Sequence, residues 1–172
     1  DGLLFDLVID DQDHSADWLR RGEVLAAVTG HGTTIPGCDA HALGALRYVA
    51  CAAPRFRDIW FADGVTARSL RDAPALIFNS KDKLQSLWAR QVTGERIALR
   101  GHMIASAEGF SAAALLSMGW GMMPEAMIRD DLALGRLVPL LPGATLDVPL
   151  FWQVSRLPGQ TLPRLTKAIR KA

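Results

Sequence analysis

Residues 3–28 read LLFDLVIDDQDHSADWLRRGEVLAAV, and this stretch decides the fold class. Leu3–Ile9 and Val24–Val28 are two apolar runs. The segment that joins them carries a short helix signal, with Asp13 or Ser15 as its predicted cap, that stops at Gly22. A strand, a helix and a second strand predict a βαβ unit, since helices cover both faces of a parallel sheet and leave its strands apolar throughout. The first third of the chain is therefore predicted to be α/β.

The same alternation continues to the end of the chain. Further strands are predicted at 45–52, 75–78, 97–104, 121–123, 137–141 and 149–154. Further helices are predicted from Pro54, after the caps Thr66 and Ser106, from Leu84, from Pro124 and over Leu162–Lys171. So many strands fit two small α/β lobes, with mostly parallel sheets joined by crossing strands, better than one doubly wound sheet. The predicted lobes are 1–46 with 148–172, and 47–147.

Composition restricts the function classes. Of 172 residues, 49% are hydrophobic and 22% charged, which is typical of a soluble globular protein. Nineteen basic and eighteen acidic residues leave a formal charge of +1, so no net field attracts nucleic acid. The sequence contains no apolar stretch long enough for a membrane span and begins without the basic region of a signal peptide. We expect a cytoplasmic protein with no membrane partner.

No cofactor, metal site or catalytic motif is predicted. Cys38 and Cys51 lack CxxC spacing and are interpreted as reduced thiols, with a redox or metal role as the less favoured alternative. The acidic run Asp10–His14 does not fit a calcium loop, because Ala16 and Gly22 stand where an EF-hand needs Gly and Glu. Since the sequence also lacks the motifs of a catalytic nucleophile and of a nucleotide-binding loop, we do not expect an enzyme.

Several segments carry a family resemblance through their order and spacing. They are Asp10–His14, Leu19–Val24 (LRRGEV), Ala27–Thr29, Leu43–Tyr48 (LGALRY), Phe61–Thr66 (FADGVT), Ala73 with Pro74, Phe78 with Asp82, Ser106 with Glu108 and Phe110, and Leu134–Leu137 (LGRL). Together they resemble the LysR-type transcriptional regulators, in the branch named ArgP, LysG or IciA. The similarity runs nearly from end to end.

The resemblance implies a fold and a function. Members of the family have an effector-binding domain like the type II periplasmic binding proteins, with a small molecule held between two Rossmann-like lobes. In this branch lysine or arginine is the effector, and the name IciA records an inhibition of chromosome initiation. The regulators act on transcription as cytoplasmic homodimers or homotetramers. The effector would act by shifting the lobes and so the spacing of the DNA-binding domains.

Two family segments are missing from the sequence. One is the winged helix-turn-helix, through which alone the protein would contact DNA. The other is the first strand and helix of the first lobe, whose strand we expect between Leu3–Ile9 and Val24–Val28. Because an unpaired sheet gap costs about 1–3 kcal/mol per buried orphan group, we expect the missing strand to remain bound as a separate chain.

Three carboxylates stand at predicted strand ends, where α/β folds bind ligands. They are Asp11, Asp82 and Glu108, and they match the ammonium groups of a basic amino acid. Asp82 and Glu108 have an alternative interpretation: each carboxylate stands in the first turn of its own helix and interacts favourably with the positive end of that helix's dipole. The alternative for the Asp11 segment is a solvated loop.

The remaining predicted contacts serve the carboxylate and the stem of the ligand. The hydroxyls of Thr29 and Ser106 and the amides that follow Ser106 would bind an α-carboxylate, although Ser106 is also an ordinary helix cap. Tyr48, Phe78 and Met122 would form apolar walls, or simply belong to the core.

The alternative function is an exported solute-binding protein for an amino acid, with the same two-lobed architecture. It differs from a regulator in carrying a leader instead of a helix-turn-helix.

Overall fold

The computed structural model describes residues 4–9, 14–156 and 161–171. In chain order the elements are α1 (Ser15–Arg20), β1 (Ala26–Thr29), β2 (Cys38–Ala52), α2 (Pro54–Trp60), α3 (Ala67–Asp72), β3 (Ala75–Ile77), α4 (Leu84–Thr93), β4 (Gly101–Met103), α5 (Ala107–Leu115), β5 (Gly121–Pro124), α6 (Glu125–Ala133), β6 (Val138–Pro139), β7 (Thr145–Ser155) and α7 (Thr161–Ile169).

The chain divides into two compact units. The first contains Asp1–Ala45 and Val148–Ala172, and the second contains Leu46–Asp147. Both boundaries fall inside long strands, β2 and β7, so each of these strands contributes residues to both units.

The first unit is built on an antiparallel pair. β1 pairs with β7, from Ala26 opposite Val154 to Thr29 opposite Phe151. A small core of Ala16, Leu19, Ile35 and Cys38 forms where α1 and the segment after β1 pack together. Helix α7 is joined to β7 by a 2.9 Å hydrogen bond from Trp152 Nε1 to Thr166 Oγ1.

The second unit contains two strand groups. β3 and β4 are parallel, with Ala75 opposite Gly101 and Ile77 opposite Met103. β5 and β6 both pair antiparallel with β2. A parallel bridge from Ala75 to Trp120 connects β3 to the start of β5.

The second unit also has the larger apolar core. It includes buried residues of β2, β3, α5, β5 and α6 and one residue just before β6, namely Val49, Cys51, Leu76, Phe110, Ala113, Ala114, Met123, Ile128 and Leu137. Beside it, the rings of Trp88 and Trp120 are both fully buried with their centroids 5.4 Å apart. Trp88 Nε1 donates to the Ala144 carbonyl at 2.9 Å, so this indole satisfies its polar atom inside the core.

The structure corrects the first predicted strand. Residues 4–9 of the Leu3–Ile9 run form no strand, and Leu4 and Ile9 are 99% and 94% exposed. An apolar run becomes a strand only where another strand offers hydrogen bonds, and the described residues provide no partner for this one. The βαβ prediction therefore holds for α1 and β1 but not for the strand before them.

Pairing directions also differ from the expectation of mostly parallel sheets. Parallel pairing is found for β3 and β4 and at the bridge to Trp120, whereas the registers of β1 with β7 and of β2 with β5 and β6 are antiparallel. The antiparallel pairs are those of the long strands β2 and β7, each of which contributes residues to both units.

Helix boundaries follow the sequence closely. Thr66 forms the predicted cap of α3, in a capping box with Ser69. Helix α1 is the exception at its start: its N-cap position is His14, without a side-chain cap bond, where Asp13 or Ser15 was expected. The predicted strand 97–104 is shortened to β4, and the helix predicted after the Ser106 cap begins at Ala107.

Candidate functional site

The carboxyl ends of β3 and β4 bring two predicted site segments to one edge of the second unit. Because β3 and β4 are parallel and in register, the residues after Ile77 and those after Met103 leave the sheet side by side. Phe78 and Asp82 follow the first strand, and Ser106 and Glu108 follow the second. The structure therefore groups four of the predicted residues at one sheet edge, as expected for an α/β ligand site.

Asp82 organises the loop in which it stands. Its Oδ2 accepts hydrogen bonds of 3.0 Å from the Phe78 amide and from Gln85 Nε2, and its Oδ1 accepts one of 3.0 Å from the Leu84 amide. A carboxylate offers about four acceptor positions. Asp82 thus closes the turn after β3, and one acceptor position stays available for a ligand.

Ser106 and Glu108 stand at the start of α5. Ser106 Oγ accepts the Gly109 amide at 3.1 Å, which makes Ser106 the N-cap, and it donates to Glu108 Oε2 at 3.3 Å. Both residues are exposed. The Glu108 carboxylate interacts favourably with the positive end of the α5 dipole, and it is accessible to a cation in solution.

Tyr48 and Met122 belong to the neighbouring strand pair. Tyr48 lies opposite Pro124, at the carboxyl end of β5, and Met122 lies opposite Ala50 in the middle of the pair. Met122 is 4% exposed and Tyr48 is 9% exposed. The parallel bridge to β3 places the end of β5, and with it Tyr48, toward the same edge as Phe78, whereas Met122 sits within the packed interior.

Thr29 lies in the first unit, at the end of β1. Its side chain is fully buried, donates to the His31 carbonyl at 2.9 Å and accepts from Gln153 Nε2 at 3.0 Å. The hydroxyl hydrogen is therefore already used within the unit. Asp11 lies outside the described residues.

Two buried glutamines were missed by sequence reasoning. Gln85 is 2% exposed and donates to the Leu76 carbonyl at 2.8 Å as well as to Asp82, which links β3 to the Asp82 turn. Gln153 is fully buried in β7. The only available signal was a polar residue at an otherwise apolar position: Gln85 shares a helix face with Trp88 and Ala89, and Gln153 interrupts the run of β7.

The thiol of Cys51 is fully buried beside β5. Burial, with a smaller contribution from Asp131, raises its pKa to about 12. Burial also raises the pKa of the Cys38 thiol. Among the described ranges 4–9, 14–156 and 161–171, His, Cys, Asp and Glu side chains form no group of three that could hold a metal ion.

A bidentate ion pair lies where the chain enters and leaves the second unit. Arg47 Nε and Nη2 contact the Asp147 carboxylate at 2.9 and 3.3 Å, and both side chains are about half exposed. This hydrogen bond and the paired charge raise the pKa of Arg47 and lower that of Asp147. The pair ties β2 to β7 within the second unit.

No helix among the described residues is long and apolar enough to cross a membrane.

Comparison with known proteins places this geometry in a family. Residues 2–172 match the model of the LysR substrate binding domain. The transcriptional regulator LysG of Mycobacterium tuberculosis is 40% identical over the whole chain, and the ArgP regulator of Pseudomonas aeruginosa is 38% identical over 96% of it. The chain spans 57% of the length of that LysG and 55% of that ArgP.

Solved structures show the same fold. The C-terminal domains of a LysR family protein from Agrobacterium tumefaciens superpose with a TM-score of 0.92 at 48% identity, covering 96% of this chain and 80% of that one. Full-length LysG of Corynebacterium glutamicum with bound effector Arg gives a TM-score of 0.83 at 34% identity, covering 99% of this chain and 58% of that one. The family model matches nearly the whole chain, and these solved relatives are 34–48% identical to it. These matches identify the chain as a member of the LysR substrate-binding domain family, with the two-lobed fold of the type II periplasmic binding proteins.

Proposed function

We propose that this chain is the effector-sensing part of a LysR-type, DNA-binding transcriptional regulator, and that its effector is lysine or arginine. The protein would work by binding, not by catalysis. DNA contact would be made through the winged helix-turn-helix that family members carry, in a cytoplasmic homodimer or homotetramer.

The observation that carries the proposal is the pair of carboxylates at one sheet edge, Asp82 after β3 and Glu108 after β4. A basic amino acid presents two ammonium groups, or one ammonium and one guanidinium, and these require anionic or carbonyl acceptors. Asp82 has a free acceptor position, and Glu108 is exposed in the first turn of its helix. Phe78, half-buried directly after β3, offers an apolar surface for the aliphatic stem.

The similarity to LysG supports the same ligand class. The LysG of C. glutamicum was solved with the effector Arg bound, and it covers 99% of this chain at 34% identity. For such a ligand to regulate anything, it must bind two states of the protein with different affinities.

Calorimetric titration of lysine into the chain and into Glu108→Gln tests the proposal. Loss of the charged contact should weaken binding about tenfold, as expected when a charge-assisted hydrogen bond becomes neutral. Glu95→Gln is the matched control, because Glu95 is exposed in the loop after α4, away from both strand ends. Equal affinities of Glu108→Gln, Glu95→Gln and the parent chain would contradict the assignment of Glu108.

A further inference from the structure

A cationic groove lies along α7 in the first unit. It runs between α7, the start of β2 and the end of β7, and its volume is about 660 Å³. Pockets for small molecules measure roughly 300–1,000 Å³, so the groove is large enough for a metabolite. All of its lining residues belong to the first unit, which makes the groove a feature of that unit alone.

One face of α7 supplies most of the cations. Lys167 lies on the helix, and Arg170 and Lys171 lie in the turn that closes it, where the Arg170 amide donates to the Thr166 carbonyl at 3.0 Å. Residues three and four positions apart share a helix face. All three side chains are exposed, and within residues 4–9, 14–156 and 161–171 none of them has an acidic partner.

The strand side of the groove adds a fourth cation and a carboxylate. Arg156 Nε donates to Asp39 Oδ1 at 2.8 Å, and the Arg156 amide donates to the Gly37 carbonyl at 2.9 Å, which joins the end of β7 to the start of β2. The side chains of Arg156 and Asp39 are 63% and 51% exposed. An ion pair this exposed contributes little to stability, so the Arg156 guanidinium can exchange Asp39 for another anion.

The groove has an excess of positive charge that the whole chain does not share. Four cations, Arg156, Lys167, Arg170 and Lys171, stand against one carboxylate, Asp39, and leave three uncompensated positive charges. The formal charge of the chain is only +1. The carboxyl end of a helix attracts cations, but it carries only about half a negative charge. The dipole of α7 therefore accounts for a small part of the excess.

Apolar side chains line the same groove. Val154, 7% exposed, contributes from β7, and Leu162 and Pro163 contribute from the first turn of α7. Small-molecule sites combine such apolar walls with a few charged groups that orient the ligand. The lining thus suits an organic anion better than a bare inorganic ion.

The groove is distinct from the ligand contact predicted at Thr29. Val154 lies opposite Ala26 at the start of β1, whereas Thr29 at the end of β1 lies opposite Phe151. The groove therefore occupies the other end of this strand pair.

We propose that this groove binds a phosphorylated small molecule, with the phosphate on Arg156, Lys167 and Arg170 and the organic part against the apolar wall. A phosphate monoester carries a charge of about −1.5 to −2 at pH 7 and three acceptor oxygens. It matches the excess of cations better than a carboxylate does. The planar guanidinium of arginine also presents paired N–H donors to phosphate oxygens. This inference goes beyond the proposed function and does not depend on it.

Calorimetric titration of the parent chain with phenyl phosphate and phenyl sulfate separates charge from shape. The two probes share the ring and a tetrahedral head group, but the sulfate carries a single negative charge. At low ionic strength we expect phenyl phosphate to saturate one site and to bind at least about fivefold more tightly than phenyl sulfate. Equal affinities, or no saturable binding of phenyl phosphate, would overturn the proposal.

Substitutions on α7 locate the site. Arg170→Gln and Lys167→Gln should each weaken phenyl phosphate about fivefold, since each removes one cation from the groove. Arg164→Gln is the matched control, because Arg164 is exposed on the same helix and does not line the groove. If Arg164→Gln weakens the probe as much as Arg170→Gln, the attraction is diffuse and the site assignment is wrong.

Asp39→Asn gives a test by gain of affinity, which a misfolded variant could not mimic. It removes the negative charge that competes with the ligand for Arg156, so phenyl phosphate should bind about fivefold more tightly. Asp17→Asn breaks an equally exposed pair with Arg20 outside the groove and should leave the affinity unchanged. Unchanged or weaker binding in Asp39→Asn would contradict the proposal. Failure of lysine to bind the parent chain would contradict the proposed function and leave this groove unaffected.

Discussion

The carboxylate of Asp82 accepts the backbone N–H of Phe78 at 3.0 Å, four residues earlier in the chain. The bond turns the chain back as soon as it leaves β3 and holds Asp82 near the edge of the sheet at which β3 and β4 both end. One side chain therefore shapes the loop and stands as a candidate ligand contact, and the two roles can be separated by substitution.

Asp82→Ala should lower the free energy of unfolding by about 1–3 kcal/mol, since it leaves the donors of Phe78, Leu84 and Gln85 without their acceptor. Asp82→Asn keeps one oxygen and should cost less. Urea unfolding followed by tryptophan fluorescence measures both. A loss below about 0.5 kcal/mol for Asp82→Ala would show that water replaces these bonds freely.

Gly101→Ala should disrupt the pairing of β3 with β4. A Cβ at Gly101 would lie 1.8 Å from the Ala75 carbonyl oxygen, and backbone in a parallel pair cannot move aside without breaking the ladder. We expect loss of the cooperative thermal transition. Gly109→Ala is the control, because its Cβ would meet only side-chain atoms at 3.2 Å or more in a helix, where alanine is favoured. Similar melting curves for the two variants would contradict the close approach at Gly101.

Cys51 should make the fold sensitive to high pH. Its pKa is raised in the folded chain to about 12 from an ordinary value of 9.0, so the thiol stabilises the fold below about pH 9 and that contribution is lost as the pH rises toward 12. The parent chain should lose up to about 1.4 kcal/mol per pH unit in this window relative to Cys51→Ala. Parallel pH profiles for the two proteins would contradict the burial of the thiol.

The Arg47–Asp147 pair should contribute a small stabilisation that depends on salt and on pH. The pKa of Asp147 is lowered, so the contribution is present above the ordinary pKa of an aspartate and disappears as the pH falls through the lowered value. Asp147→Asn should therefore melt below the parent chain at neutral pH and low salt, and the difference should vanish at ~1 M salt, where charges are screened. A difference that persists at high salt would point to packing as its cause.

Local signals in the sequence predicted much of the fold. Pro54, Thr66 and Ser106 begin helices where their chemistry suggests, because a cap acts on the turn that follows it. The grouping of Phe78, Asp82, Ser106 and Glu108 at one sheet edge could also be predicted from the sequence, because two parallel strands in register end side by side.

What the sequence did not predict depends on partners distant in the chain. Residues 4–9 are as apolar as a buried strand, but no pattern within them reports whether a neighbour is present. Gln153 acts on residues more than a hundred positions away, so nothing near it in the chain reveals its role. The hydroxyl of Thr29 was expected to face a ligand and instead bonds within its own unit, because the buried Gln153 amide needed an acceptor.

The most direct measurement is isothermal titration calorimetry of the full chain against lysine, arginine and leucine. We expect saturable binding of lysine or arginine, and no binding of leucine, which has the same α-groups but no second cation for Asp82 and Glu108. Binding of leucine with an affinity equal to that of lysine, or of none of the three, would contradict the claim that this family member senses a basic amino acid.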